Sequence, residues 1–91
     1  MSNQIVDFRT KVQGETSTPA AGQLLSGEPQ HTVYNYFSDA TQQLHSGIWS
    51  SSTGTWRIRY SECEFCCLTR GRVALETLAG ERWEFGPGEG F

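Results

Sequence analysis

Positive charge is scarce in this chain, with seven Lys and Arg against ten Asp and Glu, a formal charge of −3 and a pI near 5.2. The arginines are spread rather than clustered, so the electrostatic footprint of a phosphate-backbone binder is missing and no nucleic-acid partner is expected. Long apolar runs are missing too: none approaches the roughly 20 residues that cross a bilayer. The opening "MSNQIVDFRT" has neither the basic nor the apolar region of a signal peptide. The expected compartment is the cytoplasm, with no membrane partner. Helical apolar spacing is not sustained anywhere, which argues against a helical domain. Cysteine is limited to Cys63, Cys66 and Cys67, an odd set too crowded to staple distant loops. On an extended strand Cys66 and Cys67 point to opposite faces. Cys63 and Cys67 would stand roughly 13 Å apart at about 3.3 Å per residue, beyond disulfide reach. Reduced thiols are expected.

What the chain does contain is glycine and aromatic residues: 10 Gly, 5 Phe, 3 Trp and 3 Tyr among 91 residues, with a hydrophobic share of 36%. That mixture favours turns and sheets with aromatic faces, in one small domain with a modest core. Residues 10–30, "TKVQGETSTPAAGQLLSGEPQ", mix Gly, Pro, Ser and Thr around Leu24 and Leu25. They read as part of an N-terminal arm, residues 1–30, with room for one helical turn and lying along a sheet.

From His31 the pattern changes to short aromatic and β-branched segments at 31–37, 44–50, 55–61, 64–70, 72–78 and 81–85, each bounded by turn residues. Antiparallel hairpins over 31–91 follow, and the fold class is all-β. Gly54 in "SSTG" and Gly80 in "LAG" supply turns through positive φ, and Gly71 separates two strands. "FGPGEGF", residues 85–91, makes a sharp corner leading into Phe91 as the first apolar residue of another strand. The expectation is of a domain whose last strands are missing or whose edge is completed by another chain.

Alternation assigns faces. In "TWRIRYS" Trp56, Ile58 and Tyr60 form an inward face and Arg57 and Arg59 an outward one. In "EFCCLTR" either Glu64, Cys66 and Leu68 or Phe65, Cys67 and Thr69 could be inside, and periodicity leaves both open.

Residues 47–91, "GIWSSSTGTWRIRYSECEFCCLTRGRVALETLAGERWEFGPGEGF", with the lead-in "LLSGEPQHTVYNYFSD", resemble small single-domain cupins of the ureidoglycine aminohydrolase-like group. The first cupin motif ends Glu, six residues, Gly, as Glu64 and Gly71 do here. Its two histidine places fall on Ile58 and Tyr60, so the histidines are absent. The Glu-any-His-three-His pattern of ureidoglycine aminohydrolase itself would fall on Ile58, Tyr60 and Glu64, again leaving one carboxylate. Gly86 to Gly90 resemble the opening of the second motif, whose ligand-bearing strands do not follow. The resemblance implies a cupin-type antiparallel β-barrel or jelly roll over 31–91, incomplete in its second half. It also places Trp56, Ile58, Tyr60, Glu64 and Cys66 on the lumen side, and gives histidine in related proteins at the places of Cys63 and Cys67.

On this reading Glu64 is the candidate acid or base, with Tyr60 and Cys66 as further polar groups and Trp56 and Ile58 as an apolar wall of a site for a small polar molecule. The plainer alternative is that Glu64 only hydrogen-bonds a backbone amide or Tyr60. A divalent cation needs three or four converging donors, so no cofactor is called for by a complete set. If Mn, Fe, Ni or Zn binds, Glu64 is its ligand, and a metal-dependent aminohydrolase is the alternative function. Cys63, Cys66 and Cys67 make a weak C-x-x-C signal, because a strand holds the sulfurs apart, and buried packing is the commoner role of a free thiol. His31 and His45 read as polar strand-end side chains. Tyr34, Tyr36, Trp49, Trp83 and Phe85 read as core and interface residues. A third reading is a structural module that pairs its open edge in a homodimer.

Overall fold

The computed structural model describes residues 5–60 and 63–91. Among these there is no helix, and the chain forms seven strands: β1 (Glu15–Ser17), β2 (Leu24–Gly27), β3 (His31–Ser38), β4 (His45–Ser51), β5 (Gly54–Trp56), β6 (Val73–Glu76) and β7 (Arg82–Phe85). The all-β expectation is met. Every pairing between strands is antiparallel, in sheets ordered β1-β3-β4, β2-β5 and β6-β7. The chain divides into two compact units, Met1–Ile58 and Arg59–Phe91.

In the first unit, β3 and β4 form the longest ladder, His31 opposite Ser51 through Ser38 opposite His45. The N-terminal arm joins the sheets rather than remaining irregular. Glu15 pairs with Val33, and Leu24 and Leu25, where a helical turn was conceivable, belong to a strand along β5. A four-residue run with an open sheet edge beside it gains more from ladder bonds than from an isolated turn of helix. Ahead of β1 the chain crosses the tyrosine side of β3: Phe8 stacks on Tyr36 with ring centroids 4.7 Å apart, and the Tyr36 hydroxyl donates to the Thr10 carbonyl at 2.6 Å.

Gly54 does not take the positive φ its turn position suggested; Gly27, Gly71, Gly80 and Gly88 do. Its reason is steric. A Cβ at Gly54 would lie 2.5 Å from Pro29 Cδ and Cγ, and Pro29 is fully buried. Ser52 ties the same corner, its Oγ accepting from the Gln30 amide at 2.8 Å and its own amide donating to the Gln30 carbonyl at 3.1 Å.

In the second unit, β6 and β7 alternate cleanly. Val73 opposite Phe85 and Leu75 opposite Trp83 form one face; Ala74 opposite Glu84 and Glu76 opposite Arg82 form the other. The polar face carries exposed ion pairs, Arg82 with Glu76 at 3.4 Å and with Glu84 at 3.5 Å. Such pairs add little stability and mark the solvent side. The connecting turn is closed by the Gly80 amide on the Thr77 carbonyl at 3.0 Å, with Gly80 at φ 93°. This is a type I turn with a glycine bulge.

Two expected strands are shorter or absent. The segment 55–61 is a strand only to Trp56, because its partner β2 is four residues long and leaves nothing to pair with beyond one bond from the Arg57 amide to the Gln23 carbonyl at 2.8 Å. Ser61, its expected end, lies outside the described residues. The segment 64–70 forms no named strand and keeps a single bridge, Cys67 opposite Gly90. Alternation promises a strand, but only a partner edge makes one.

Candidate functional site

The site of the second unit is built by the glycine-rich corner that the sequence singled out. Pro87 and Gly88 occupy the middle of a tight turn in which the Glu89 amide donates to the Gly86 carbonyl at 3.1 Å. Gly88 has φ 86°, as a type II turn requires of its third residue, and proline suits the second. The Glu89 carboxylate returns to the turn and accepts from the Gly86 amide at 2.6 Å. The chain is thereby reversed and residues 88–91 run back along 66–68. The Leu68 amide donates to the Glu89 carbonyl at 2.9 Å and the Gly88 amide to the Leu68 carbonyl at 2.7 Å, while Cys66 and Phe91 exchange both of their backbone bonds at 2.8 Å.

Residues directly opposite in an antiparallel pair share a face. Cys66 therefore stands beside Phe91, and the Phe91 ring stacks on Phe85 of β7 at 4.7 Å. Tyr60, Glu64, Cys66, Leu75 and Phe91 together line a depression of about 360 Å³. Cys67, one residue along, does not line it and is exposed, as strand alternation requires.

Of the residues predicted from sequence, Tyr60, Glu64 and Cys66 are thus brought together. The apolar residues that line the depression are Leu75 and Phe91; Trp56 and Ile58 are not among them. Leu75 was legible from the alternation of "VALE", whereas Phe91 takes its place only through the reversed chain after Gly88. Glu64 is exposed, not enclosed as a lumen carboxylate would be, because the segment that carries it has no continuous partner strand. Tyr60 and Ile58 are each 51% exposed. Partial burial, then the negative charge of Glu64, then Cys66, push the Tyr60 phenol above its ordinary pKa. Burial first and Glu64 second push the Cys66 thiol up as well. Both groups are therefore held in their neutral, proton-donating forms beside a carboxylate that accepts.

Trp56 has a different role. Its ring lies 4.4 Å from His31, and Trp49 lies 5.3 Å from the same imidazole on the β3-β4 sheet. His31 was expected at the surface, yet it is half-buried in a cluster with two indoles, themselves 6.1 Å apart, and its Nε2 is buried with no hydrogen-bond partner among the described residues. His31 opens β3, and pairing with Ser17 of β1 on one side and Ser51 of β4 on the other holds that strand end in place.

Among the described residues no three His, Cys, Asp or Glu side chains are grouped closely enough to hold a metal ion. At the depression the donors are the Glu64 carboxylate and the Cys66 thiol, one of them disfavoured as thiolate. A three- or four-coordinate site does not fit them.

An all-β antiparallel chain that keeps six residues between the motif glutamate and Gly71, and whose Gly-Pro-Gly corner brings Phe91 to the depression that Glu64 lines, has the marks of a cupin-type protein. Residues 38–91, more than half of the chain, match the EutQ-like cupin domain family, and the chain belongs to that family. The match carries the cupin assignment and does not single out the ureidoglycine aminohydrolase-like group. Comparison with curated proteins and with solved structures returned no match. No helix among the described residues is long and apolar enough to cross a membrane.

Proposed function

We propose that this cupin domain binds a small polar metabolite at the depression lined by Tyr60, Glu64, Cys66, Leu75 and Phe91, without a full metal site. The observation that supports it is the grouping of one carboxylate acceptor and two neutral donors over an apolar floor. A ligand carrying N–H groups on one edge and a carbonyl or carboxylate on the other would satisfy both kinds of group. Ureides have that pattern, and the resemblance to ureidoglycine aminohydrolase-like cupins makes them the first class to test. Metal-dependent aminohydrolase chemistry is the weaker reading, since the described residues offer two donors where three are needed. Expression in the cytoplasm, where the three thiols stay reduced, is consistent with either.

A thermal-shift screen of ureides and small carboxylic acids tests the proposal. A ligand at 100 times its Kd adds about 2.7 kcal/mol of stability, a Tm rise of roughly 10–20 °C for a domain of this size. Glu64→Ala should abolish that rise. If no compound stabilises the protein, or if Glu64→Ala responds as the parent does, the depression is not the binding site.

A second reading, a homodimer, is favoured by one specific observation: large apolar side chains stay exposed, among them Trp49 at 52% and Trp83 at 48%, and Pro29 is the only fully buried large side chain among the described residues. Light scattering tests it, and a monomer at micromolar concentration would dismiss it.

A further inference from the structure

A second cluster of polar side chains lies on the β1-β3-β4 sheet of the first unit and takes no part in the site proposed above. Gln13, Glu15, Val33, Asn35, Ser38 and His45 line a depression of about 380 Å³. Register explains how residues so far apart in sequence meet. Glu15 sits opposite Val33, so Gln13 and Asn35, two residues further along each chain, continue the same face.

By alternation alone Ser38 would face the other way. The β3-β4 ladder, however, steps from Asn35 opposite Gly47 to Phe37 opposite Ser46, so Tyr36 is an extra residue in β3. That bulge inverts the faces beyond it and turns Ser38 and its partner His45 to the side of Asn35. Gly47, opposite Asn35, lets the two backbones approach closely at this step, since a Cβ there would collide with the Tyr34 carbonyl oxygen.

The far wall is tied together by hydrogen bonds of its own. Ser38 Oγ stands 2.7 Å from His45 Nδ1, and His45 Nε2 lies 3.2 Å from the Gln42 carbonyl. Asn35, with its amide nitrogen donating to the Phe37 and Ser46 carbonyls at 3.2 and 3.3 Å, accepts from Ser38 Oγ at 3.0 Å. The near wall is not: among the described residues neither Gln13 nor Glu15 forms a side-chain hydrogen bond or ion pair. A fixed polar wall therefore faces an uncommitted carboxylate and an uncommitted amide.

We propose that this depression binds a guanidinium group, with the Glu15 carboxylate as its anchor. The two carboxylate oxygens match the parallel N–H pair of a guanidinium, and the Gln13 side-chain oxygen can accept a further N–H. Val33 offers an apolar surface to the flat face of the cation. An ammonium fits less well, because at an open depression it keeps its strongly held water, whereas guanidinium is weakly hydrated. The group can belong to a free guanidino compound or to an arginine side chain of a peptide.

Nuclear magnetic resonance titration of the full chain with methylguanidinium tests the proposal, with methylurea as the neutral probe of similar shape. Saturable shifts are expected at the amides of Glu15, Val33 and Asn35. Methylurea should bind at least about tenfold more weakly, and Glu15→Gln should weaken methylguanidinium by about tenfold and bring the two probes together. Glu15 is exposed, so the isosteric change leaves the fold intact, which circular dichroism verifies. Glu64→Gln should leave methylguanidinium binding unchanged, which separates this site from the one proposed above. Replacing the probe by N-acetylarginine amide distinguishes the sources: tighter binding assigns a peptide side chain, equal binding a free small cation. Equal binding of methylguanidinium and methylurea, absence of saturable shifts, or an unaltered Glu15→Gln titration would overturn the proposal.

Discussion

The two compact units solve the same problem, how to hold short extended segments together, by different means. Met1–Ile58 relies on a long ladder: β3 and β4 pair across seven or eight residues each, and the arm adds β1 to the same sheet. Arg59–Phe91 relies on turns: its two strands are four residues each, and the remaining pairing of 66–68 with 88–91 exists because a Gly-Pro-Gly-Glu corner reverses the chain. Their depressions differ accordingly. A bulge within a regular ladder places the polar wall of Asn35, Ser38 and His45, whereas a glycine turn brings Phe91 beside Cys66. In this protein a site needs a departure from regular pairing, and each unit uses the departure its own architecture allows.

The comparison can be broken at its glycines. At Gly47, inside the ladder, a Cβ would collide with the Tyr34 carbonyl oxygen and lie 3.1 Å from Asn35 Cα. Backbone cannot swing aside as a side chain can, so Gly47→Ala is expected to cost roughly 2–3 kcal/mol, read as a lower urea midpoint. Gly88→Ala meets nothing within 4 Å, and its cost comes from φ 86° alone. Roughly 1–2 kcal/mol is expected for a left-handed alanine, with faster amide exchange at Cys66 and Phe91. Equal effects at the two positions would show that the ladder and the turn do not differ in the way described.

A smaller effect sharpens the chemistry of the second unit. Cys66 is half-buried with its thiol pKa raised, while Cys63 and Cys67 are exposed. Alkylation at pH 8, followed by mass spectrometry, should modify Cys66 last. Glu64→Gln removes the negative charge that disfavours the thiolate, so the Cys66 pKa falls and its rate should rise by about two- to threefold. An unchanged rate would mean that the carboxylate does not act on the thiol.

The smallest effect is expected in the β3-β4 connection. The Asp39 carboxylate accepts from the Thr41 hydroxyl at 2.7 Å and from the Gln43 and Leu44 amides at 2.8 and 3.1 Å. The Thr41 bond first, and the Leu44 amide after it, hold its pKa below the usual carboxylate value. A depressed folded-state pKa stabilises the loop fully above the ordinary Asp range and loses that contribution as pH falls through the depressed value. The Gln43 and Leu44 amide resonances should therefore titrate below pH 4, and Asp39→Asn should remove that titration. Resonances that stay fixed down to the acid limit would separate the loop from its carboxylate.

Much of this was legible beforehand, and the reasons are specific. "VALE" and "RWEF" alternate so regularly that the faces of β6 and β7 follow from side-chain chemistry. "GPG" states its turn through the fixed φ of Pro87 and the freedom of Gly88. Glu64 and Gly71 keep the spacing that carried the cupin resemblance. Other features were hidden. Gly54 was read as a turn former and is instead the place where Pro29 packs. His31 reads as a surface residue and instead packs in a cluster with Trp49 and Trp56. The cluster of Glu15, Asn35, Ser38 and His45 has no motif, since its members are drawn from three segments.

By itself the sequence determined the local conformational preferences: extended backbone from β-branched and aromatic residues, and reversals from Gly and Pro. Only the tertiary structure decided which of those segments found partners, where the extra residue Tyr36 inverted a strand's faces, and which side chains consequently met. The physical reason is that backbone preference is a property of each residue and its neighbours, while a ladder is a property of two edges. Register, bulges and shared faces have no existence until both edges are present.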